Sequence, residues 1–360
     1  MTAGEQSRAS SLLQRAASLA DDAATLLRLA TVRRSLGDLQ GALAAVRAAA
    51  RLKPQDFVIL LMLASLNDAV GATDQGARVY RRALECAPAG HKLPDALAKQ
   101  LDYARRRVAA TDAWVRRLQA WQPNAELTHA ERDRMLGFRS AVLRNTATAG
   151  DQPPAFVVPE VPNAEFFDPQ QFAGLAALEQ QSDAIREEFL RLAEVRSGEL
   201  SSRLSGLSAP HANAAGKGKW AMIPLIRKGV PVAEYAALCP RTMTLAASLD
   251  LPNIPMISPS LYFSVLEPGS RIAPHTGITN ARLIVHIPLI VPHSCGIRVG
   301  NETRQWERGK ALVFDDMTDH EAWNDSDRVR VVLIADLWRP ELSAAERTAI
   351  GQLMVRELTV

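Results

Sequence analysis

The stretch LYFSVLEPGSRIAPHTGITNARLIVHI, residues 261–287, decides how the second half of the chain folds. Both of its ends, Leu261–Leu266 and residues 282–287, are short runs in which successive side chains would point to opposite faces of a β-strand. The stretch therefore predicts two strands. It also places a histidine, His275, at the end of a β-patterned segment.

Further short apolar segments follow at residues 297–299, 311–314 and 329–334. Turn residues separate the segments, namely Pro268-Gly269, Gly300-Asn301 and Arg308-Gly309. Several short strands joined by such turns are typical of a sandwich or jelly roll, the barrel class that includes cupins. We therefore expect residues 156–360 to form a barrel of this class with flanking helices.

Two histidines and one arginine form a candidate non-haem iron site. His320 follows His275 by forty-five residues, and Arg330 comes ten residues after His320. A common iron site adds a carboxylate two residues after the first histidine and leaves three positions open for cosubstrate and oxygen. Here that position is Gly277, which has no side chain to bind a metal. Two interpretations stay open: water takes the third position, or no metal is bound.

Four polar residues of the predicted strands can share one barrel interior, because side chains alternate along a strand. These residues are Ser264, Arg282, His286 and Arg330. A buried arginine needs an anionic partner, since an uncompensated buried charge costs several kcal/mol. No acidic residue stands on these predicted faces, so we expect a ligand carboxylate, which a guanidinium can bind through two parallel hydrogen bonds.

Other residues of this region are interpreted structurally. Asp315, Asp316 and Asp319 could replace the missing iron ligand, but their place just before His320 favours turn and cap chemistry. Trp306, Trp323 and Trp338 are interpreted as barrel packing.

The composition excludes several classes of protein. With 42 basic and 39 acidic residues the chain gives no electrostatic reason to bind nucleic acid. The longest apolar run, residues 57–66, is about half a membrane span. Cys86, Cys239 and Cys295 lie far apart, which suggests neither disulfides nor a zinc site. We expect a soluble protein of the cytoplasm.

The N-terminal hundred residues contain a 34-residue repeat. Seven residues recur at this spacing: Leu26, Leu29, Ala30, Gly37, Val46, Ala49 and Pro54 return as Leu60, Leu63, Ala64, Gly71, Tyr80, Ala83 and Pro88. The period predicts tetratricopeptide-like helix pairs at 23–56 and 57–90, within a helical solenoid domain of residues 1–125. A helical connector and linker is expected at 126–155. Such arrays bind peptides or act as structural braces, and both readings stay open.

Residues 259–342 resemble the aspartyl/asparaginyl β-hydroxylase family. The motifs are PHTG-x-TN-x-RL-x-x-H, NET-x-x-W-x-x-G, FDD-x-x-x-H-x-x-W and D-x-W-x-PEL, and the weaker likeness extends over residues 156–345. The resemblance implies a double-stranded β-helix that uses Fe(II), 2-oxoglutarate and O2. It also implies that water replaces the metal-binding carboxylate, and some members carry tetratricopeptide repeats.

The resemblance assigns roles residue by residue. His275 and His320 would ligate iron, and Arg330 with Ser264 would bind the far carboxylate of 2-oxoglutarate. His286 would lie near the metal-bound end of the cosubstrate. Arg282 would face cosubstrate or substrate, whereas Ile284 stands where animal peptide hydroxylases of the family have a second arginine.

The expected function is hydroxylation of a C–H bond of a peptide or protein, with release of succinate and CO2. The repeats would be a surface for the substrate. One alternative is a non-catalytic adaptor with a silent barrel. Another is a hydroxylase of a small-molecule or lipid acyl substrate.

Overall fold

The computed structural model describes residues 11–12, 14–15, 22–88, 93–147, 155–196, 198, 219–255 and 257–355. The chain divides into two compact units. The first comprises Met1–Trp121, Leu143–Pro153 and Arg356–Val360, and the second comprises Gln122–Val142 and Pro154–Val355.

The first unit is built from helices. They are α1 (Ala23–Ser35), α2 (Leu39–Leu52), α3 (Phe57–Ala69), α4 (Thr73–Cys86) and α5 (Asp95–Ala120), and α6 (His129–Ala147) ends in this unit. One apolar cluster joins α1, α2 and α3, and a second joins α3, α4 and α5. Each pair of helices therefore buries its apolar side against the next.

Local chemistry explains where these helices begin and end. Asp22, Asp38 and Asp56 precede α1, α2 and α3, and their carboxylates accept hydrogen bonds from backbone N–H groups of the first turn. Gly37 and Gly71 follow α1 and α3 with φ angles of 79° and 84°, a left-handed conformation that glycine adopts without strain. The helical N-terminal region is confirmed, whereas the tetratricopeptide class stays a prediction.

The second unit contains two antiparallel sheets. Its strands are β1 (Phe166–Phe167), β2 (Trp220–Arg227), β3 (Val230–Pro231), β4 (Leu261–Leu266), β5 (Ser270–His275), β6 (Arg282–Ile290), β7 (Cys295–Val299), β8 (Glu302–Arg304), β9 (Leu312–Phe314), β10 (His320–Asn324) and β11 (Arg330–Trp338). The large sheet has the order β1-β9-β6-β11-β4-β2-β3, and the small sheet has the order β5-β10-β7-β8. The antiparallel β-rich half is as predicted.

Alternation along the strands separates two apolar cores. One face of the large sheet packs against the small sheet, and Ile284, Phe314, Val332 and Ile334 meet Ile297 there. The opposite face packs on helices. These are α7 (Leu175–Gln180), α8 (Ser182–Val195), α9 (Ala233–Ala236) and α10 (Pro240–Ala246), while α11 (Ala344–Met354) is the last described helix. The candidate site residues lie on the side that faces the small sheet.

Three strands are longer than the sequence indicates, and one of them, β7, begins at Cys295 rather than at residue 297. The last strand runs to Trp338 rather than ending at residue 334, and β6 runs to Ile290. The additional residues of β11 include Asp336, which pairs with Arg282 in the candidate site. Within the described ranges, none of the helices has the length and apolar character that crossing a membrane requires.

Candidate active site

The two candidate metal ligands are cross-strand neighbours. His275 ends β5, His320 begins β10, and the two residues are register partners with ring centroids 4.1 Å apart. The Nδ1 atom of His275 lies 2.8 Å from the Ala273 carbonyl oxygen, and that of His320 lies 2.9 Å from the Thr318 carbonyl oxygen. Because a carbonyl only accepts, each Nδ1 carries the proton, which leaves the lone pair on Nε2. This is the tautomer in which a histidine ligates a metal through Nε2.

The position of the usual third ligand is closed by packing. A Cβ atom at residue 277 would collide with the carboxylate of Asp316, and the N–H of Gly277 donates to the backbone oxygen of Asp316 at 2.5 Å. The buried Oδ1 of Asp316 accepts no hydrogen bond from the described residues. A carboxylate thus lies near His275, but it comes from residue 316.

Arg282 has acidic partners, which corrects the sequence analysis. Its guanidinium lies 3.1 Å from Asp316 Oδ2 and 3.4 Å from Asp336 Oδ1. The other oxygen of Asp336 accepts from Ser258 Oγ at 2.6 Å and from the Ser260 amide at 2.7 Å. Burial alone would lower the pKa of Arg282, but the two carboxylates outweigh it and raise the pKa. Arg282 is therefore committed to this carboxylate pair, and a ligand carboxylate is not needed to neutralise it.

Arg330 has the opposite environment. It is 1% exposed, and its Nη1 donates to the backbone oxygen and the hydroxyl oxygen of Ser264 at 3.2 and 3.1 Å. The described residues include no acidic partner for it, and its buried Nε has no acceptor there. Burial lowers the pKa of Arg330 to about 10. A cation buried without an anion is costly, and a ligand carboxylate would remove that cost.

Ser264 is held so that its own proton is left to donate. The hydroxyl oxygen accepts from Arg330 and also from the indole N–H of Trp220 at 3.0 Å. A serine hydroxyl has one donor and two acceptor positions, so both acceptor positions are used. Trp220 was not among the residues singled out from the sequence, because its strand is separated from β4 by some forty residues.

His286 joins Arg330 to the histidine pair through aromatic rings. The ring centroid of Phe314 lies 5.2 Å from that of His320 and 5.0 Å from that of His286. The Trp306 indole N–H donates a hydrogen bond to His286 Nδ1 at 3.3 Å. Arg330 lies over the Trp306 ring, 4.9 Å from its centroid. Burial first, and then the nearby Arg330 cation, hold the pKa of His286 well below its ordinary value. His286 is therefore neutral.

The remaining aspartates make structural contacts. Asp315 pairs with Arg339 at 2.6 Å, and Asp319 pairs with Arg298 at 2.8 Å. Within the part of the chain that the structure describes, His, Cys, Asp and Glu form no group of three or more that could hold a metal. The structure thus brings together Ser264, His275, His286, His320 and Arg330, and it directs Arg282 to carboxylates of the chain.

Comparison with known proteins gives one family. Residues 179–340 match the family described as Aspartyl/Asparaginyl beta-hydroxylase. The human protein of the same name is 27% identical over 363 residues, which cover 94% of this chain and 46% of that protein. The ornithine lipid ester-linked acyl 2-hydroxylase of Rhizobium tropici is 34% identical over 186 residues, which cover 51% of this chain and 63% of that protein.

The chain therefore spans less than two thirds of the length of either relative. Among solved structures, a prolyl-4-hydroxylase of Pseudomonas putida aligns with a TM-score of 0.28 and 14% identity, over 46% of this chain and 98% of that one.

Proposed function

Because this chain belongs to the aspartyl/asparaginyl beta-hydroxylase family, we propose that it is an Fe(II)- and 2-oxoglutarate-dependent dioxygenase with a double-stranded β-helix barrel. It would hydroxylate a C–H bond of a peptide or protein substrate. The observation that carries the proposal is Arg330, a buried cation without an acidic partner among the described residues, beside a histidine pair of metal-ligating tautomer.

The dicarboxylate 2-oxoglutarate suits Arg330 and Ser264. Its far carboxylate would supply the anion that the guanidinium lacks, and Arg330 Nε with the Ser264 hydroxyl proton would be the donors. Arg330 is the donor fixed in space, because two hydrogen bonds to Ser264 and the Trp306 ring hold its plane. Binding would therefore need little reorganisation of the chain.

Fe(II) suits the histidine pair. His275 and His320 would bind the ion through Nε2, and their backbone acceptors hold the two rings in place. Asp316, with its unbonded Oδ1, would accept a hydrogen bond from water at the third position. When bound, iron and 2-oxoglutarate supply the oxidising chemistry, in which O2 gives one oxygen atom to succinate and the other to the substrate, with release of CO2.

The residues of the chain would bind and orient the substrate, and they would exclude water from the site. Phe314 and Ile284 are buried beside the polar residues and keep the region around the histidines apolar. The neutral His286 adds a donor without adding charge. The target C–H bond would be held next to the metal by groups that stay fixed during the reaction.

Hydroxylation of an uncharged acyl group is the second candidate, and the charges of the site favour it. Arg282 is neutralised by Asp316 and Asp336, and Arg330 would be neutralised by the cosubstrate. Arg298, which lies near His320, is likewise paired with Asp319 and Glu321. Among the described residues around the histidines, no cation without an acidic partner is therefore left for an acidic substrate, and Ile284 is apolar. The Rhizobium tropici relative is, by its name, an acyl hydroxylase.

The helix pairs of the first unit are proposed to be tetratricopeptide-like and to contact a peptide substrate. In an adaptor without activity they would be the functional part. Retention of both histidines and of a costly buried Arg330 argues against the adaptor, because a silent barrel would gain stability by losing that cation.

The test is cosubstrate turnover with matched substrates. Succinate is measured with and without Fe(II), O2 and 2-oxoglutarate, and then with peptides that differ only by Asp or Asn at one position and with an acyl amide. Iron-dependent succinate supports the oxygenase. Stimulation by a peptide supports the first candidate, whereas stimulation by the acyl amide alone supports the second. Absence of iron-dependent succinate under all conditions supports the adaptor.

A further inference from the structure

We propose that Trp306 is a positioning residue of this site. Its indole N–H fixes which nitrogen of His286 carries the proton, and its ring fixes the plane of Arg330. The inference rests on the proposed function only in taking His286 and Arg330 to face 2-oxoglutarate. Trp306 belongs to neither strand that carries these residues, since it lies in the connection between β8 and β9.

The first contact sets a tautomer. Trp306 Nε1 lies 3.3 Å from His286 Nδ1, and an indole nitrogen can only donate. His286 Nδ1 must therefore accept, and the single proton of a neutral imidazole is on Nε2. His286 is 7% exposed and Trp306 is 5% exposed, so water does not compete for this bond. His286 thus presents an N–H donor, and not a lone pair, from Nε2.

The second contact orients a cation. The guanidinium carbon of Arg330 lies 4.9 Å from the centroid of the Trp306 ring, within the range of a cation–π interaction. The other constraint on Arg330 comes from Ser264, which binds Nη1 alone. Without the ring, the guanidinium could rotate about that one nitrogen. One indole therefore orients two groups that stand on different strands, β6 and β11.

The contacts of Trp306 separate it from a tryptophan that only packs. Trp323 also lies against an arginine, Arg271, at 5.9 Å, but that arginine pairs with Asp325 and is half exposed. Trp323 makes no described contact with His286, Arg330 or Ser264. It is therefore a matched control: a tryptophan of the same barrel, with an arginine on its ring, outside the site.

The test uses the full chain loaded with Zn(II), which does not turn over. In 15N-labelled wild-type protein, nuclear magnetic resonance should show the His286 proton on Nε2 and a coupling across the hydrogen bond between Trp306 Nε1 and His286 Nδ1. Calorimetry then measures 2-oxoglutarate affinity. Trp306→Phe keeps the ring and loses the donor, so binding should weaken about two- to tenfold, the effect of one neutral hydrogen bond.

Trp306→Leu loses the ring as well and should weaken binding on the order of a hundredfold. Trp323→Phe should bind like wild type. A wild-type His286 with its proton on Nδ1 would overturn the inference, and so would equal affinity of Trp306→Phe and Trp323→Phe. If wild type bound no 2-oxoglutarate, the proposed function would fail, while the resonance measurement would still decide the tautomer.

Discussion

Asp316 fills the space that a side chain at residue 277 would need, and its backbone oxygen accepts the N–H of Gly277 at 2.5 Å. The glycine and the aspartate are packed as a matched pair. The carboxylate of a three-ligand iron site therefore has no room at residue 277. A carboxylate is nevertheless present near His275, and it belongs to Asp316, in the segment that precedes His320.

Gly277→Ala should destabilise the protein by about 1–3 kcal/mol, because the added methyl group meets a buried carboxylate that Arg282 holds in place. The free energy of unfolding by urea measures this. Gly351→Ala is the control, since a Cβ there makes only an ordinary contact with the Asn253 oxygen at 3.6 Å. In helix α11 the alanine should be neutral or stabilising. Equal effects of the two substitutions would contradict the packing argument.

His275→Ala and His320→Ala should each abolish Fe(II) binding and leave the barrel folded, because two side chains would hold the ion. Anaerobic metal titration together with thermal unfolding measures both properties. Asp319→Ala is the control, since Asp319 is exposed and bound to Arg298. If Asp319→Ala lost iron as completely as the histidine variants, the two-histidine site would be wrong.

Arg330→Met should have opposite effects on binding and on stability. Removing the cation should raise the apparent constant for 2-oxoglutarate a hundredfold or more, since truncating a buried charged pair costs about 3–5 kcal/mol. Without ligand, the same change should leave the melting temperature equal or higher, because the cation has no acidic partner among the described residues. Arg298→Met is the control, at an arginine that is already paired with Glu321 and Asp319. It should leave the apparent constant for 2-oxoglutarate nearly unchanged and should not raise the melting temperature. A lower melting temperature of Arg330→Met would mean that the cation stabilises the ligand-free fold.

Arg282→Met should make stability depend strongly on pH. Burial raises the pKa of Asp336, and Arg282 counteracts this, so removing Arg282 raises that pKa further. A carboxyl group whose pKa is higher in the folded than in the unfolded state costs stability as pH rises from the ordinary carboxyl range through the folded pKa. The loss in free energy of unfolding caused by Arg282→Met, relative to wild type, should therefore be largest at pH 7 and become smaller towards pH 5. A deficit independent of pH in urea unfolding would contradict this.

The sequence predicted the polar face of the barrel because alternation is a local property. Ser264, His286 and Arg330 lie on strands whose period of two is visible in the residues themselves. In contrast, the sequence placed His275 at the end of a β-patterned segment but did not give the bounds of β5 or β10, because SRIAPH and HEAWN are polar and lack a run of β-branched residues. Their pairing, which brings the two histidines together, depends on tertiary structure.

The partners of Arg282 were missed for a related reason. A strand ending at residue 334 excludes Asp336, whereas β11 continues to Trp338 and carries Asp336 on the same face as Arg330. Strand ends are set by the neighbouring strands as much as by local composition, and here β6 pairs with β11 along its whole length. The contacts of Trp220 and Trp306 with the site likewise follow from the closing of the barrel.

Strand β5 is an edge strand of the small sheet, and β10 is its one partner among the described strands. An ion held jointly by His275 and His320 would tie this outer strand to the sheet at its last residue. Loss of the ion would then let β5 fray from β10, with faster backbone hydrogen exchange along β5 while β7 stays protected. A frayed margin exposes unpaired backbone to other chains, so iron starvation would also make the protein prone to aggregate.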